Sequence, residues 1–196
     1  MTKIIKNTLL VVAFIPLLAM SAIELNTVPK VQISDNNALS TQEVSEDNLE
    51  KAINIERLEK ALKINTYFHE RSMPLAGYGM QFVLVAEKYG LPYDFLPAIA
   101  VRESSGGKRD MNNNPFGWGS AKIKFSDYNE AIEVVGKNLA GGNPKTASYY
   151  GGKSIKQKLY YYNGTVMKGY EDEVMSIMDK IDSTKIAKET ELAYKQ

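Results

Sequence analysis

Apolar residues recur every three or four positions through most of the chain, and this spacing predicts amphipathic α-helices. A first helix is predicted over residues 49–66, either packing on the domain that follows, preceding it or mediating self-association. Its apolar stripe comprises Leu49, Ile53, Leu58 and Leu62. Residues 67–182 repeat the pattern in short segments separated by loops rich in glycine and asparagine. The sequence therefore predicts a compact, mostly all-α bundle of short helices, whose loops carry the function.

Within residues 67–182, several segments carry recognisable start and stop signals. One helix has the stripe Met80, Val83, Leu84 and Glu87 and ends at Gly90. The residues predicted to cap or end later helices are Ser126 or Asp127, Gly141 and Ser154. Residues 122–125, KIKF, alternate in polarity and predict a short strand edge.

The first 23 residues predict an export signal. Lys3 and Lys6 precede an uninterrupted apolar run, and Ala19 and Ser21 form a small-x-small pattern suited to cleavage. The run is at the short limit for a membrane span, so an uncleaved anchor is the alternative. Residues 24–48 are polar and aperiodic, as expected of a linker, and residues 183–196 are predicted to be a frayed tail. The protein is therefore expected at the cell envelope or outside it, touching the membrane only through this segment.

Composition narrows the possible chemistry. The 196 residues include no cysteine and one histidine, His69, which removes thiol nucleophiles and cysteine metal sites. The net charge of +1 is unlike that of most nucleic-acid-binding proteins, and no nucleic-acid partner is expected. No metal or cofactor is expected either. Carboxylates, tyrosines and backbone groups remain as the reactive groups.

Glu103 is the carboxylate in the most unusual sequence context. A helix beginning near Pro92 places Leu96, Ile99, Ala100 and Glu103 on one face. A carboxyl on that apolar face is partly desolvated, which favours its protonated form, as a general acid requires. A partly exposed glutamate paired with Arg102 or Lys108 is the alternative.

Three motifs in order resemble those of the lysozyme-like superfamily of cell-wall glycosidases, which includes bacterial endo-β-N-acetylglucosaminidases and lytic transglycosylases. They are AVRESSGGK at residues 100–108, NNNPFGWG at residues 112–119 and YNG at residues 162–164. The resemblance covers residues 67–182 and implies a lysozyme-like α+β fold with a much reduced β-lobe. It also implies that Glu103 protonates a glycosidic oxygen between N-acetylated sugars of peptidoglycan. The sequence departs from the glucosaminidase pattern because almost no β-lobe is present to hold a second acid, Asp110 and Asp127 being the nearest candidates.

The same motifs suggest the residues that bind the glycan strand. They are Ser104, Asn114, Phe116, Trp118, Tyr162 and Asn163. Each has an ordinary structural alternative: Trp118 and Tyr162 as core residues, Ser104 and Asn114 as partners of backbone groups. Residues 149–162 are crowded with tyrosines, and three consecutive ones in a helix cannot all face inward, so some are expected to be exposed. A wall-binding module that cleaves nothing, and a tethered helical domain that binds a partner, remain alternatives to an enzyme.

Overall fold

A computed structural model of the protein describes residues 45–186, and this part of the chain is helical without any β-strand. The helices are α1 (Glu46–Glu70), α2 (Gly79–Tyr89), α3 (Phe95–Ser104), α4 (Tyr128–Leu139), α5 (Ala147–Tyr150), α6 (Ile155–Leu159), a π-helical turn (Tyr160–Gly164) and α7 (Tyr170–Asp182). The predicted dominance of α-helix is confirmed. The strand edge predicted at residues 122–125 is wrong, because this segment lies in a loop where the Phe125 amide bonds the Asn112 carbonyl.

The predicted signal or anchor at residues 1–23, most of the linker and most of the tail lie outside the described residues. Between residues 45 and 186, no helix combines the length and the apolar character that a membrane crossing needs. The linker prediction extended too far, because α1 already begins at Glu46, with Ser45 as its N-cap.

Helix α1 belongs to the body of the domain. It is longer than predicted at both ends, and its C-terminal half packs against α2 and α7. The buried residues are Ala61, Ile64, Tyr67 and Phe68, whereas Leu49 and Ile53 are 55% and 39% exposed. The predicted stripe is therefore wrong in its first half, since burial begins only where the neighbouring helices reach the helix.

The helix that carries Glu103 lies at the centre of the domain. Six consecutive residues of α3, Phe95 to Ala100, are buried, and the helix packs mainly against α7. Helix α2 packs against α1 and α4 through Phe82, Val83 and Ala86. Leu84, predicted to lie in this apolar face, is 44% exposed, because the buried face of α2 is centred on Phe82 instead. Surrounding helices thus fix the backbone of α3.

The predicted helix boundaries are largely confirmed. Gly90 ends α2 in the left-handed conformation, at φ +65°, and Asp127 caps α4 by accepting a hydrogen bond from the Glu130 amide at 2.9 Å. Ser154 and Gln157 form a reciprocal capping box at the start of α6.

The π-helical turn places two of the three consecutive tyrosines at the surface and one against the core. Its defining bond joins the Thr165 amide to the Tyr160 carbonyl, five residues earlier, at 3.0 Å. Tyr160 and Tyr161 are exposed, whereas Tyr162 packs against the core. The expectation that the three tyrosines would not all face inward is confirmed.

Two isoleucines on α1 provide a test of this packing. Ile64→Ala should lower the free energy of unfolding by about 2–5 kcal/mol, because it empties a fully buried position. Ile53→Ala, on the exposed half of the same helix, should change it by less than about 0.5 kcal/mol. Urea unfolding of both variants measures the difference. Equal losses would contradict the described packing of α1.

Candidate functional site

The C-terminus of α3, the loop after it and the π-helical turn enclose an open cleft of about 490 Å³. Its lining residues are Glu103, Phe116, Gly117, Trp118, Gly119, Ser120, Tyr150, Tyr162 and Asn163. Five of the seven residues predicted for the site are in this lining. Ser104 and Asn114 are not, and the structure places both behind the wall of the cleft.

Glu103 lies in the last turn of α3, half-buried, with its two carboxylate oxygens in different environments. The buried Tyr170 hydroxyl donates a hydrogen bond to Glu103 Oε1 at 2.6 Å. Oε2 has no hydrogen-bond partner within residues 45–186 and faces Gly117, where an added Cβ would lie 3.5 Å away. One oxygen is thus held by the fold, and the other is turned toward the cleft.

Glu103 does not form an ion pair with Arg102 or Lys108 in the structure. Arg102 instead forms an ion pair with Glu173 on α7. None of the ion pairs found in residues 45–186 includes Glu103.

Two tyrosines behind Glu103 stay neutral over the ordinary pH range. Burial raises the pKa of Tyr170, and the neighbouring Tyr162 and Glu103 groups raise it further. Burial likewise raises the pKa of Tyr162 well above its ordinary value. Tyr170 therefore remains a hydrogen-bond donor to the carboxylate. The Tyr162 hydroxyl donates to the Phe116 carbonyl at 2.5 Å, so Tyr162 contributes its ring to the cleft rather than a free donor.

Aromatic rings form one wall of the cleft. The Trp118 ring centroid lies 5.7 Å from that of Tyr162 and 6.1 Å from that of Tyr150. Tyr162 in turn stacks on Tyr170, with ring planes only 6° apart. Trp118 packs on the core, as the structural alternative predicted, and it also lines the cleft.

The loop that carries Trp118 is organised by Asn114. Its buried amide donates to the carbonyls of Trp118 at 2.8 Å and Ile123 at 3.1 Å, and its carbonyl accepts from the Trp118 amide at 2.9 Å. Gly117 adopts φ +61°, which favours glycine over other residues. Asn114 is thus fully engaged with backbone groups.

Ser104 joins the end of α3 to the same loop. Its hydroxyl lies 2.7 Å from the Pro115 carbonyl, to which it donates, and accepts from the Gly107 amide at 2.9 Å. These bonds are buried, so Ser104 positions the loop beside Glu103 rather than lining the cleft.

Neither acid considered as a second carboxylate lies in the cleft lining. Asp110 accepts a hydrogen bond from the Tyr128 hydroxyl at 3.2 Å, and Asp127 caps α4. Among residues 45–186, Glu103 is the only carboxylate that lines the cleft. Residues 45–186 contain no cluster of histidine, aspartate and glutamate that could hold a metal ion.

Several residues of the site were not predicted from sequence: Gly117, Gly119, Ser120 and Tyr150 in the lining, and Tyr170 behind it. Tyr170 lies at helical spacing from the apolar residues Val174 and Ile181, and Tyr150 was noted only as one of the tyrosines in residues 149–162. Helical spacing shows that such residues face the core, but it does not show which polar group a hydroxyl meets there. No known family, curated protein or solved structure matches this chain.

Asn114→Ala should lower the free energy of unfolding by about 2–4 kcal/mol, because it leaves three backbone groups without a partner. It should also alter the fluorescence of Trp118, the only tryptophan of the chain. Lys124→Ala, an exposed change in the same loop, serves as the control and should leave both unchanged. Unaltered stability and fluorescence in Asn114→Ala would show that Asn114 does not organise the loop.

Tyr128 should make stability depend on alkaline pH. Burial raises the pKa of Tyr128 to about 12, and Asp110 beside its hydroxyl adds to the shift. An unfolded tyrosine ionises near pH ~10, so the contribution of Tyr128 to the free energy of unfolding is fully present below that pH. This contribution is lost as the pH rises toward 12. Tyr128→Phe should therefore flatten the decline of unfolding free energy in this window, as measured by urea unfolding at several pH values. If the unfolding free energies of the parent and the Tyr128→Phe variant decline in parallel, Tyr128 is not the group responsible.

Proposed function

We propose that this chain is an exported cell-wall glycosidase of lysozyme-like fold that cleaves β-1,4 bonds between N-acetylated sugars of peptidoglycan. The observation that carries the proposal is the geometry of Glu103. Its carboxyl lies in an open aromatic cleft, with Oε1 held by Tyr170 and Oε2 free toward the cleft. In this proposal Glu103 is the general acid, and Oε2 holds the transferable proton.

The lining of the cleft suits a pyranose chain. Trp118, which is partly exposed, offers aromatic surface on which the apolar face of a sugar ring packs, and the buried Tyr150 ring lies behind it. Asn163 and Ser120 add polar side chains that can bond hydroxyl and acetamido groups. Such a mixture of aromatic surface and a few polar groups is typical of sites for small polar ligands.

A single carboxylate favours a mechanism in which the substrate assists. Glu103 gives its proton to the glycosidic oxygen as the bond from that oxygen to C1 breaks, and positive charge develops on the sugar ring. Either a water or the 6-hydroxyl of the muramic acid then attacks C1, and its proton returns to Glu103. Water gives a reducing end and the 6-hydroxyl gives an anhydro end. The substrate acetamido group can stabilise the cation in either case.

The scheme needs no metal or cofactor, and its partner is the glycan strand of peptidoglycan. Export depends on residues 1–23, either as a cleaved signal or as an anchor, which is the only membrane contact proposed. The enzyme would act on the cell envelope or outside the cell.

One observation supports a second candidate, a peptidoglycan-binding or scaffolding module of the same fold. Most glycosidases use two carboxylates, whereas the described part of this chain places one carboxylate, Glu103, in the lining of the cleft. Such a module would keep the aromatic wall and bind glycan strands without cleaving them.

Digestion of purified peptidoglycan with the full chain distinguishes the two candidates. The parent protein should release soluble fragments, and Glu103→Gln should release them at least ~100-fold more slowly, because glutamine cannot donate the proton. Mass spectrometry of the new ends distinguishes hydrolysis from transglycosylation.

Glu87→Gln, an exposed change on α2 away from the cleft, is the matched control and should retain full activity. A Glu103→Gln protein as active as its parent would refute the role of Glu103. A parent protein that sediments with the wall but releases nothing would favour the binding module.

A further inference from the structure

Three exposed tyrosines form a patch outside the cleft. We define the tyrosine ridge as Tyr149, Tyr160 and Tyr161, which are 52%, 47% and 40% exposed. Tyr161 contacts both others, with ring centroids 5.8 Å from Tyr149 and 5.5 Å from Tyr160. Single exposed apolar residues are common, but a contiguous group of exposed rings marks a binding surface.

A chain of ring contacts connects the ridge to the cleft through Tyr150, which is itself only 7% exposed. Tyr149 lies 6.4 Å from Tyr150, whose ring lies 6.1 Å from Trp118, measured between centroids. Both Tyr150 and Trp118 line the cleft. A row of aromatic rings therefore leads from beside Glu103 out onto the surface.

The position of the ridge is fixed by buried bonds. The Lys158 ammonium is buried and donates to the carbonyls of Leu139, at 2.7 Å, and of Tyr150. These bonds join the end of α4 to the end of α5, from which Tyr149 projects. Tyr160 and Tyr161 project from the π-helical turn, which begins directly after α6, the helix that carries Lys158. Because the backbone is held, a ligand on the ridge would have only two side-chain torsions per tyrosine to order.

A cation lies beside the rings. Lys153 Nζ is 6.0 Å from the centre of the Tyr161 ring and forms no ion pair with any acid of the described part of the chain. An aromatic surface next to a free ammonium suits a polymer of apolar-faced sugars that also carries carboxylates.

We propose that the tyrosine ridge is an accessory binding site for the same β-1,4-linked N-acetylated glycan chain, engaging sugars that extend beyond the cleft. The identity of this ligand rests on the proposed function of the cleft. A long chain then contacts the cleft and the ridge together, whereas a short one fits the cleft alone.

The test uses β-1,4-linked N-acetylglucosamine oligomers of two and six sugars, titrated against the full chain carrying Glu103→Gln so that nothing is cleaved. Fluorescence of Trp118, the only tryptophan, reports occupation of the cleft. Adding Tyr149→Ala and Tyr161→Ala together should weaken binding of the six-sugar oligomer about tenfold. Binding of the two-sugar oligomer should change by less than about twofold.

Two controls test whether the aromatic rings themselves account for the change in binding. Replacing the same tyrosines by phenylalanine should preserve binding, because the ring surface is kept. Leu84→Ala, a similarly exposed change on α2, should have no effect. Thermal unfolding checks that all variants are folded, and Tyr161→Ala alone is used if the double variant is not.

Unchanged binding of the six-sugar oligomer to the alanine variant would overturn the proposal, as would an equal loss for both oligomers. A changed sedimentation coefficient with unchanged sugar binding would assign the ridge to contact between copies of the chain instead. Cleavage by the parent protein is measured separately. If the ridge fails this test, the proposed enzymatic activity is unaffected. If the parent protein is inactive but binding still depends on the ridge, the ridge proposal holds and the enzymatic proposal fails.

Discussion

The hydrogen bond from Tyr170 to Glu103 connects the packing of the domain to its candidate chemistry. Tyr170 is fully buried at the start of α7, and α7 is the main partner of α3. The bond therefore forms only when these two helices are correctly packed, and it orients the carboxylate by one oxygen. Glu103 is half-buried, and the bond from Tyr170 offsets part of the cost of removing its Oε1 from water.

The opposite wall of the cleft depends on a second group of buried polar bonds. Asn114 holds the turn that presents Trp118, and Ser104 ties that turn to the helix end beside Glu103. The Tyr162 hydroxyl joins the π-helical turn to the same loop by donating to the Phe116 carbonyl. The cleft is thus built from two sides that share α3, which explains how loop residues can be positioned without a β-sheet in this part of the chain.

Much of the helical architecture could be predicted from sequence, because periodicity and capping residues act locally. The caps Asp127 and Ser154 and the end of α2 at Gly90 are examples. The stripes of α1 and α2 were partly mispredicted, since which apolar residues are buried depends on where other helices end. The residues 122–125 were mispredicted as a strand because polarity alternates there without any partner strand.

For the site, the motifs identified Glu103, Trp118 and Tyr162, but not the partners of their polar atoms. The roles of Ser104 and Asn114 could not be read from sequence, because both a sugar and a backbone carbonyl accept the same hydrogen bond. Tyr170 could not be found because a buried tyrosine in a helix stripe is usually explained by packing alone.

The most direct measurement is a crystal structure of the Glu103→Gln protein with a bound N-acetylglucosamine oligomer. The expected result is sugar rings packed against Trp118, with a glycosidic oxygen within hydrogen-bond distance of the side-chain amide at position 103. An oligomer bound elsewhere, or lying in the cleft with every glycosidic oxygen out of reach of that amide, would contradict it.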